Sequence, residues 1–322
     1  MPEFLVTLAV TFVAAPLASR QLLARGFLDI PNHRSSHTTP VPRGGGLACL
    51  AGAAAGVLVA HTQGREVPWL LVLLVVALTA VGFADDRQGL SAVFRLAAQV
   101  AAGATMGWAL GGGYWILVAA IVVPVVVNVV NFMDGINGIT SLTMAVWGIT
   151  AFAVGHAHAV LPLSVVGALT AGSALGFLPW NAPTARLFLG DSGSYLFGAL
   201  VGAGLLIGWS EGAPVVLLAA PLTLYLTDTG TVLAKRALRG DPLFEAHREH
   251  VYQRLTGASG LPHVAVSLAV AALAAAMTIS WMAHALWIPL ATTALACSLY
   301  LLAPRLVGRG TTPAASTAGG TG

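Results

Sequence analysis

Of the 322 residues, 57% are hydrophobic and only 8% are charged, whereas soluble domains carry about a quarter charged residues. The composition excludes a soluble globular domain and implies an integral membrane protein. Cys49 and Cys297 both sit in apolar runs, so a disulfide framework is not expected. The net charge of +3 is modest and no basic patch is interleaved with aromatics, so no nucleic-acid partner is expected.

A helix needs about twenty apolar residues to cross a bilayer. Such stretches fall near 3–19, 44–61, 68–84, 92–110, 114–131, 138–155, 160–179, 192–209, 213–234, 262–282 and 285–303. They predict an all-α, polytopic membrane protein with about ten to eleven transmembrane helices. The stretch 92–110 is the weakest because it carries Arg95 and Gln99. Met1-Pro2-Glu3 carries an acid where the start of a signal peptide would be basic, so the first stretch is expected to be a retained helix. One transmembrane catalytic domain is expected over 1–307. The Gly/Thr/Ala-rich tail, 308–322, is expected to be disordered.

Basic residues orient these spans. Of fifteen Lys and Arg residues, Arg65 alone follows an even-numbered span, and the others lie at or beside loops that follow odd-numbered ones. The positive-inside rule makes that face cytoplasmic and puts the amino terminus outside. Most acids fall on the same face, including Asp29, Asp85, Asp86, Asp134, Asp191 and Glu249. Polar chemistry is therefore expected there, on cytoplasmic loops.

The first loop on that face, 29–46, combines prolines, two histidines, Arg34, Arg43 and the run Gly44-Gly45-Gly46. It could hold an anion, with backbone amides approaching closely, or simply meet anionic headgroups. In the next, the apolar run Trp69–Phe83 gives way to Asp85-Asp86. Adjacent carboxylates repel, so the pair needs a cation, a proton or a phosphate-handling task, unless it is a solvated helix cap. Arg95 and Gln99, four apart, share a helix face that should look into the bundle.

Asn128, Asn131 and Asp134 recur every three residues at a helix end, within reach of one ligand, although Asn128 could equally serve as packing glue. Asp191 stands where a helix begins, beside Ser192 and two glycines. It can hold a hard cation while helix N–H groups face phosphate, or act as an ordinary N-cap. In the last large loop, His247, His250 and Arg254 would form a cationic stripe on one helix face, suited to pyrophosphate. Zinc is not expected, because a third ligand is missing.

Taken in order, Pro40-Val-Pro-Arg43-Gly-Gly-Gly46, Asp85-Asp86, Asn128-Val-Val-Asn131-Phe-Met-Asp134-Gly135, Asn181 through Gly190-Asp191-Ser-Gly193-Ser194, Asp228-Thr229 and the histidine loop resemble the polyprenyl-phosphate N-acetylhexosamine-1-phosphate transferase superfamily. The resemblance spans about residues 29 to 255. It implies an enzyme that moves a sugar-1-phosphate from a UDP-N-acetylhexosamine to undecaprenyl or another polyprenyl phosphate, with Mg²⁺ (or Mn²⁺), releasing UMP. It also implies a multi-pass protein of the bacterial inner membrane, and a homodimer would be compatible with it.

Two positions depart from the family pattern. Asn137 replaces the second aspartate of Asp-Gly-x-Asp-Gly, and Tyr252-Gln253 follow His250. The second change is similar to the branch that starts O-antigen and related surface glycans. The resemblance implies that Asp191 and Asp134 hold the metal, and that His250, His247 and Arg254 bind pyrophosphate or neutralise UMP. It leaves Asp85 and Asp86 to orient the lipid phosphate, with one able to take its proton. Arg43, Asn128, Asn131 and Asn181 complete the expected substrate-binding set. A secondary transporter or a noncatalytic lipid-carrier binding protein are the competing classes.

Overall fold

In hydrocarbon an apolar run must satisfy its own backbone, which only a helix does within one segment. The computed structural model, which describes residues 1–31, 39–65, 67–242, 248–257, 259–283 and 285–308, is accordingly almost all helix. Its helices are α1 (Pro2–Ala24), α2 (Gly46–Thr62), α3 (Trp69–Gln88), α4 (Ala92–Ala109), α5 (Tyr114–Met133), α6 (Ile139–Ala157), α7 (Leu161–Asn181), α8 (Gly190–Ser210), α9 (Val215–Ala219), α10 (Thr223–Arg239), α11 (Val251–Gly257), α12 (His263–Ser280) and α13 (Trp287–Val307).

Every apolar stretch read from the sequence is helical. Among the described residues, nine segments are long and apolar enough to cross a membrane, with Val215–Arg239 counted as one. Outside that set are α2, which is shorter, and the Arg95-bearing α4. The ninth stretch is not one rod: a 3₁₀ turn, Ala220–Leu222, separates α9 from α10 at Pro221, which lacks the N–H a continuous helix would use. The chain is a polytopic, all-α membrane protein. The only strands among the described residues are β1 (Leu28–Asp29) and β2 (Val41–Pro42), a short antiparallel ribbon between α1 and α2.

The most enclosed helix is α8, buried along nearly its whole length. It packs on α3, α5 and α2. Without a hydrophobic drive between helices in lipid, close association depends on small residues that let backbones touch. A Cβ on Gly82 of α3 would lie 2.3 Å from the Asp191 carbonyl oxygen, and one on Gly46 of α2 would lie 2.2 Å from the Gly193 amide nitrogen. Those two approaches bring the end of α3 and the start of α2 against the first turn of α8.

Backbone pairing reinforces them. The Gly45 and Gly46 amides donate to the Phe188 and Leu189 carbonyls at 2.9 and 3.0 Å, and the Phe188 amide donates to the Pro42 carbonyl at 2.9 Å. Three distant parts of the chain thus meet at one end of the bundle. Gly82→Ala should force α3 off α8 and destabilise the protein by about 1–3 kcal/mol, read as a lower Tm in detergent. Gly230→Ala, where nothing lies within 4 Å, should leave Tm unchanged or raise it.

Candidate active site

The Asp86 side chain is only 2% exposed. It accepts the Asp191 and Ser192 amides at 2.8 and 3.0 Å, and Arg43 Nε lies 2.6 Å from it. The carboxylate therefore sits on the positive end of α8 and receives two of its otherwise unpaired N–H groups. Arg43 continues through Nη2 to Asp191 Oδ1 at 3.1 Å. Burial works against its charge, yet the carboxylates of Asp191, Asp86 and Asp29 hold the guanidinium above its usual pKa.

Asn131, on the last turn of α5, donates to the same Asp191 oxygen at 2.8 Å and to Ser194 Oγ at 2.9 Å. The Asp134 carboxyl lies just beyond α5. Burial and the nearby Asp191 push its pKa up to about 7, against the opposing influence of Thr140 and Arg43. Asp86, Asp134, Asp191, Arg43 and Asn131 consequently form one electrostatic group, built from four separate segments.

The other aspartate of the pair is engaged differently. Asp85 accepts the Leu90 amide and Arg95 Nη1, both at 2.7 Å, and so closes the turn from α3 into α4. Gln99, one turn further along α4, accepts from Asn128 Nδ2 at 2.6 Å. Arg95 and Gln99 do face the bundle. Asn128 also donates to the Pro124 carbonyl, so it joins α4 to α5 while its neighbour Asn131 reaches Asp191.

Asn181 is buried and spends both ends of its amide on backbone. It accepts from the Gly138 amide at 2.6 Å and donates to the Leu187 carbonyl at 3.2 Å. It clasps the turn after Asp134 to the loop before Asp191. Asn137 donates to the Pro183 carbonyl at 3.0 Å, and its own carbonyl accepts from Ser267 at 2.9 Å.

His250 comes to this group from the far end of the chain. Tyr252 donates to the Phe132 carbonyl at 2.9 Å, and its hydroxyl fills the space where Gly135 has no side chain. The His250 ring stacks between Phe132 and Tyr252 at 6.4 and 5.6 Å. Its Nδ1 is 3.2 Å from Asp228, which also accepts the Val251 amide at 3.0 Å and the Tyr300 hydroxyl at 2.7 Å.

Asp228 is wholly buried. Nothing in the sequence around Tyr300 singles it out, since it lies in the apolar run of α13, and the arch of α10, α11 and α13 is what brings it there. Arg254 lines a small cavity of about 130 Å³ with Asp228, Lys235, Glu249 and Arg305. His247 lies outside the described residues.

The oxygen donors Asp134 and Asp191 are of the type that hard divalent cations take. Mg²⁺ is commonly bound through one or two carboxylates with substrate phosphates, not in a closed protein cage. Asp134 lies three residues after Asn131, which donates to Asp191, so the two carboxylates are linked through the end of α5. Among the described residues no group of three His, Cys, Asp or Glu could enclose an ion. A pair of carboxylates fits a cation shared with a phosphorylated substrate.

The profile of glycosyl transferase family 4 matches residues 68–209, a range that holds the Asp85-Asp86 pair, Asn128–Asp134 and the loop to Asp191, but neither Arg43 nor His250. A decaprenyl-phosphate N-acetylglucosaminephosphotransferase of Mycolicibacterium smegmatis is 31% identical over 278 residues, covering 71% of this chain and 68% of its own. A probable undecaprenyl-phosphate N-acetylglucosaminyl 1-phosphate transferase of Bacillus subtilis is 27% identical over 288 residues, covering 81% and 78%. A phospho-N-acetylmuramoyl-pentapeptide-transferase of Mycobacterium bovis is 29% identical over 318 residues, covering 78% and 88%. The arrangement of motifs, the helical fold and these likenesses agree: the chain belongs to the polyprenyl-phosphate N-acetylhexosamine-1-phosphate transferase superfamily, within glycosyl transferase family 4.

Proposed function

We propose that the protein transfers an N-acetylhexosamine-1-phosphate from a UDP-sugar to undecaprenyl or another polyprenyl phosphate. UMP leaves, and the reaction is the first membrane step of a surface-polysaccharide pathway. The carrying observation is the Asp86–Arg43–Asp191–Asn131 group at the first turn of α8, with Asp134 alongside. The site faces the cytoplasm of a bacterial inner membrane, because its residues belong to the face where basic residues gather. UDP-N-acetylglucosamine is the first donor to test, given the names of the relatives from M. smegmatis and B. subtilis.

In this reading a lipid-phosphate oxygen attacks the sugar-proximal phosphorus, and the bond to the UMP oxygen breaks. The second pKa of a phosphate monoester is about 6, so the nucleophile is already mostly ionised near neutral pH and no residue needs to take its proton. What remains is alignment and charge neutralisation of two anions. Asp134 and Asp191 would hold Mg²⁺, which supplies positive charge to the pyrophosphate oxygens.

Asp86 keeps Arg43 in place beside Asp191. Asp85 does the same for Arg95. The aspartate pair therefore acts on the lipid phosphate through two guanidiniums, a division of labour not foreseen from the sequence. His250, oriented by Asp228, neutralises the departing UMP, with His247 and Arg254 as further candidates for the nucleotide.

Asp191→Asn should lower turnover about 10²-fold or more and blunt the Mg²⁺ dependence of nucleotide binding; an unchanged metal profile would remove Asp191 from the metal site. The assay is lipid-linked product and UMP formation from labelled UDP-sugar, polyprenyl phosphate and Mg²⁺. Product-free transport or binding would instead favour a carrier. Asp86→Asn should cut kcat to a similar degree while UDP-sugar binding stays near wild type. Tyr300→Phe removes one bond to a buried carboxylate, worth about 1.5–3 kcal/mol. Its kcat should fall about tenfold or more in the same product assay, because the carboxylate that orients His250 loses a partner.

A further inference from the structure

Helix α10 ends at Arg239 because Gly240 takes the left-handed conformation, with φ 74°, which a glycine enters at little cost. The turn sends the chain back along the helix. The Gly240 amide donates to the Ala237 carbonyl at 3.1 Å, and the Asp241 amide donates to the Arg236 carbonyl at 2.9 Å. Two arginines three residues apart then receive the returning chain. Arg236 donates through Nη2 to the Pro242 carbonyl and through Nη1 to Glu249 Oε1 at 3.1 Å. Arg239 Nε donates to Asp241 at 2.7 Å, and its Nη2 meets the two Glu249 oxygens at 2.8 and 2.7 Å.

An isolated ion pair at a surface contributes little to stability. This one is a network: Arg236 is buried with both Nη nitrogens engaged, and Glu249 is shared between two guanidiniums. Hydrogen bonds from Arg239 and then Arg236 hold the Glu249 carboxylate below its usual pKa. Glu249 is also the residue before His250. On the other side, the Val251 amide donates to Asp228 at 3.0 Å, and the His250 amide donates to Gln253 Oε1 at 3.3 Å. His250 is therefore framed by α10 from both directions: Asp228 holds its ring and the residue after it, and the two arginines hold the residue before it.

We propose that Glu249, gripped by Arg236 and Arg239, is a positioning residue that fixes the backbone on which His250 is presented. The proposal rests on the transferase reading, in which His250 meets the departing UMP. It assigns the two arginines to the protein's own loop and not to a substrate phosphate. Among the described residues the carboxylates in their reach are Glu249 and Asp241, and none belongs to the Asp86–Asp134–Asp191 group. A carboxylate also repels phosphate, so Glu249 can serve the reaction only through the cations that hold it.

The test uses the full-length protein in nanodiscs. Glu249→Ala should lower kcat about ten- to a hundredfold, the loss expected when a reacting group is misplaced by about 1 Å, while KM for the UDP-sugar stays unchanged. Arg239→Ala should act in the same way. The double variant Arg239→Ala/Glu249→Ala should cost no more than the worse of the two, because each removes the same contact. Glu249→Gln, which keeps an acceptor oxygen, should recover part of the loss. Amide hydrogen exchange over residues 248–257 should be faster in Glu249→Ala than in the wild type. Arg236 is left intact because it is buried and its removal would disturb the fold itself.

Wild-type kcat in Glu249→Ala, losses that multiply in the double variant, or unchanged exchange over 248–257 would each overturn the proposal. So would a lower KM for the UDP-sugar in Glu249→Gln, which would mean that the released arginines bind the nucleotide. If the wild-type protein makes no lipid-linked product, the transferase reading fails, while the exchange comparison still reads the grip on Glu249 by itself.

Discussion

Burying a carboxylate costs several kcal/mol unless an opposite charge and good hydrogen bonds replace its water. Asp86 meets that condition with one guanidinium and two amides at the start of a helix. The bonds are charge-assisted, and the helix dipole favours them further. None of this could form unless α3 approached α8 to backbone contact, which Gly82 permits. Nor could it form unless Arg43 were carried to the same point by the pairing of the 42–46 strand and turn with 188–189. One buried charge pair therefore fixes where three segments end, and those ends are the walls of the candidate active site.

The same arrangement sets the charge available for chemistry. Asp86, Asp134 and Asp191 would repel one another and both anionic substrates if left alone. Arg43 offsets two of them, and Asn131 supplies a neutral donor to Asp191. Burial above all, with the nearby Asp191 and Asp86 adding to it, pushes the Asp134 pKa up to about 7. Under the proposed function, a divalent cation held by Asp134 and Asp191 would relieve that repulsion and favour an anionic substrate, while Arg43 holds Asp86 and Asp191 together.

Much of this was legible in the sequence because membrane composition leaves so few polar residues to choose from. Hydrophobic runs located all eleven helical stretches, and Asp86, Asn131, Asp134, Asp191 and His250 stood out against apolar surroundings. The partners of these residues were not legible. Asn128 and Asn181 look like Asn131 in sequence, yet they bond Gln99 and backbone groups, since which way an amide points depends on helix rotation and not on spacing. Tyr300 was invisible because an aromatic in an apolar helix is ordinarily packing, and only the fold brings its hydroxyl to Asp228. A solvated helix cap is the plain sequence reading of the pair, whereas Asp86 is buried and caps a helix more than a hundred residues later, which no local pattern indicates.

Position 137 shows how such a contact can explain a departure from a family motif. The resembled pattern has an aspartate where this chain has Asn137. Here the side chain must donate, because its partner is the Pro183 carbonyl, and an ionised aspartate has no proton to give. Its backbone is held at the same time by Ser267 on α12. The residue ties the turn after Asp134 to the loop that leads to Asp191, next to the clasp made by Asn181. An aspartate there would lose that bond and add a fourth negative charge to a group already raising the pKa of Asp134. An amide at this position therefore adds rigidity between the segments that carry Asp134 and Asp191.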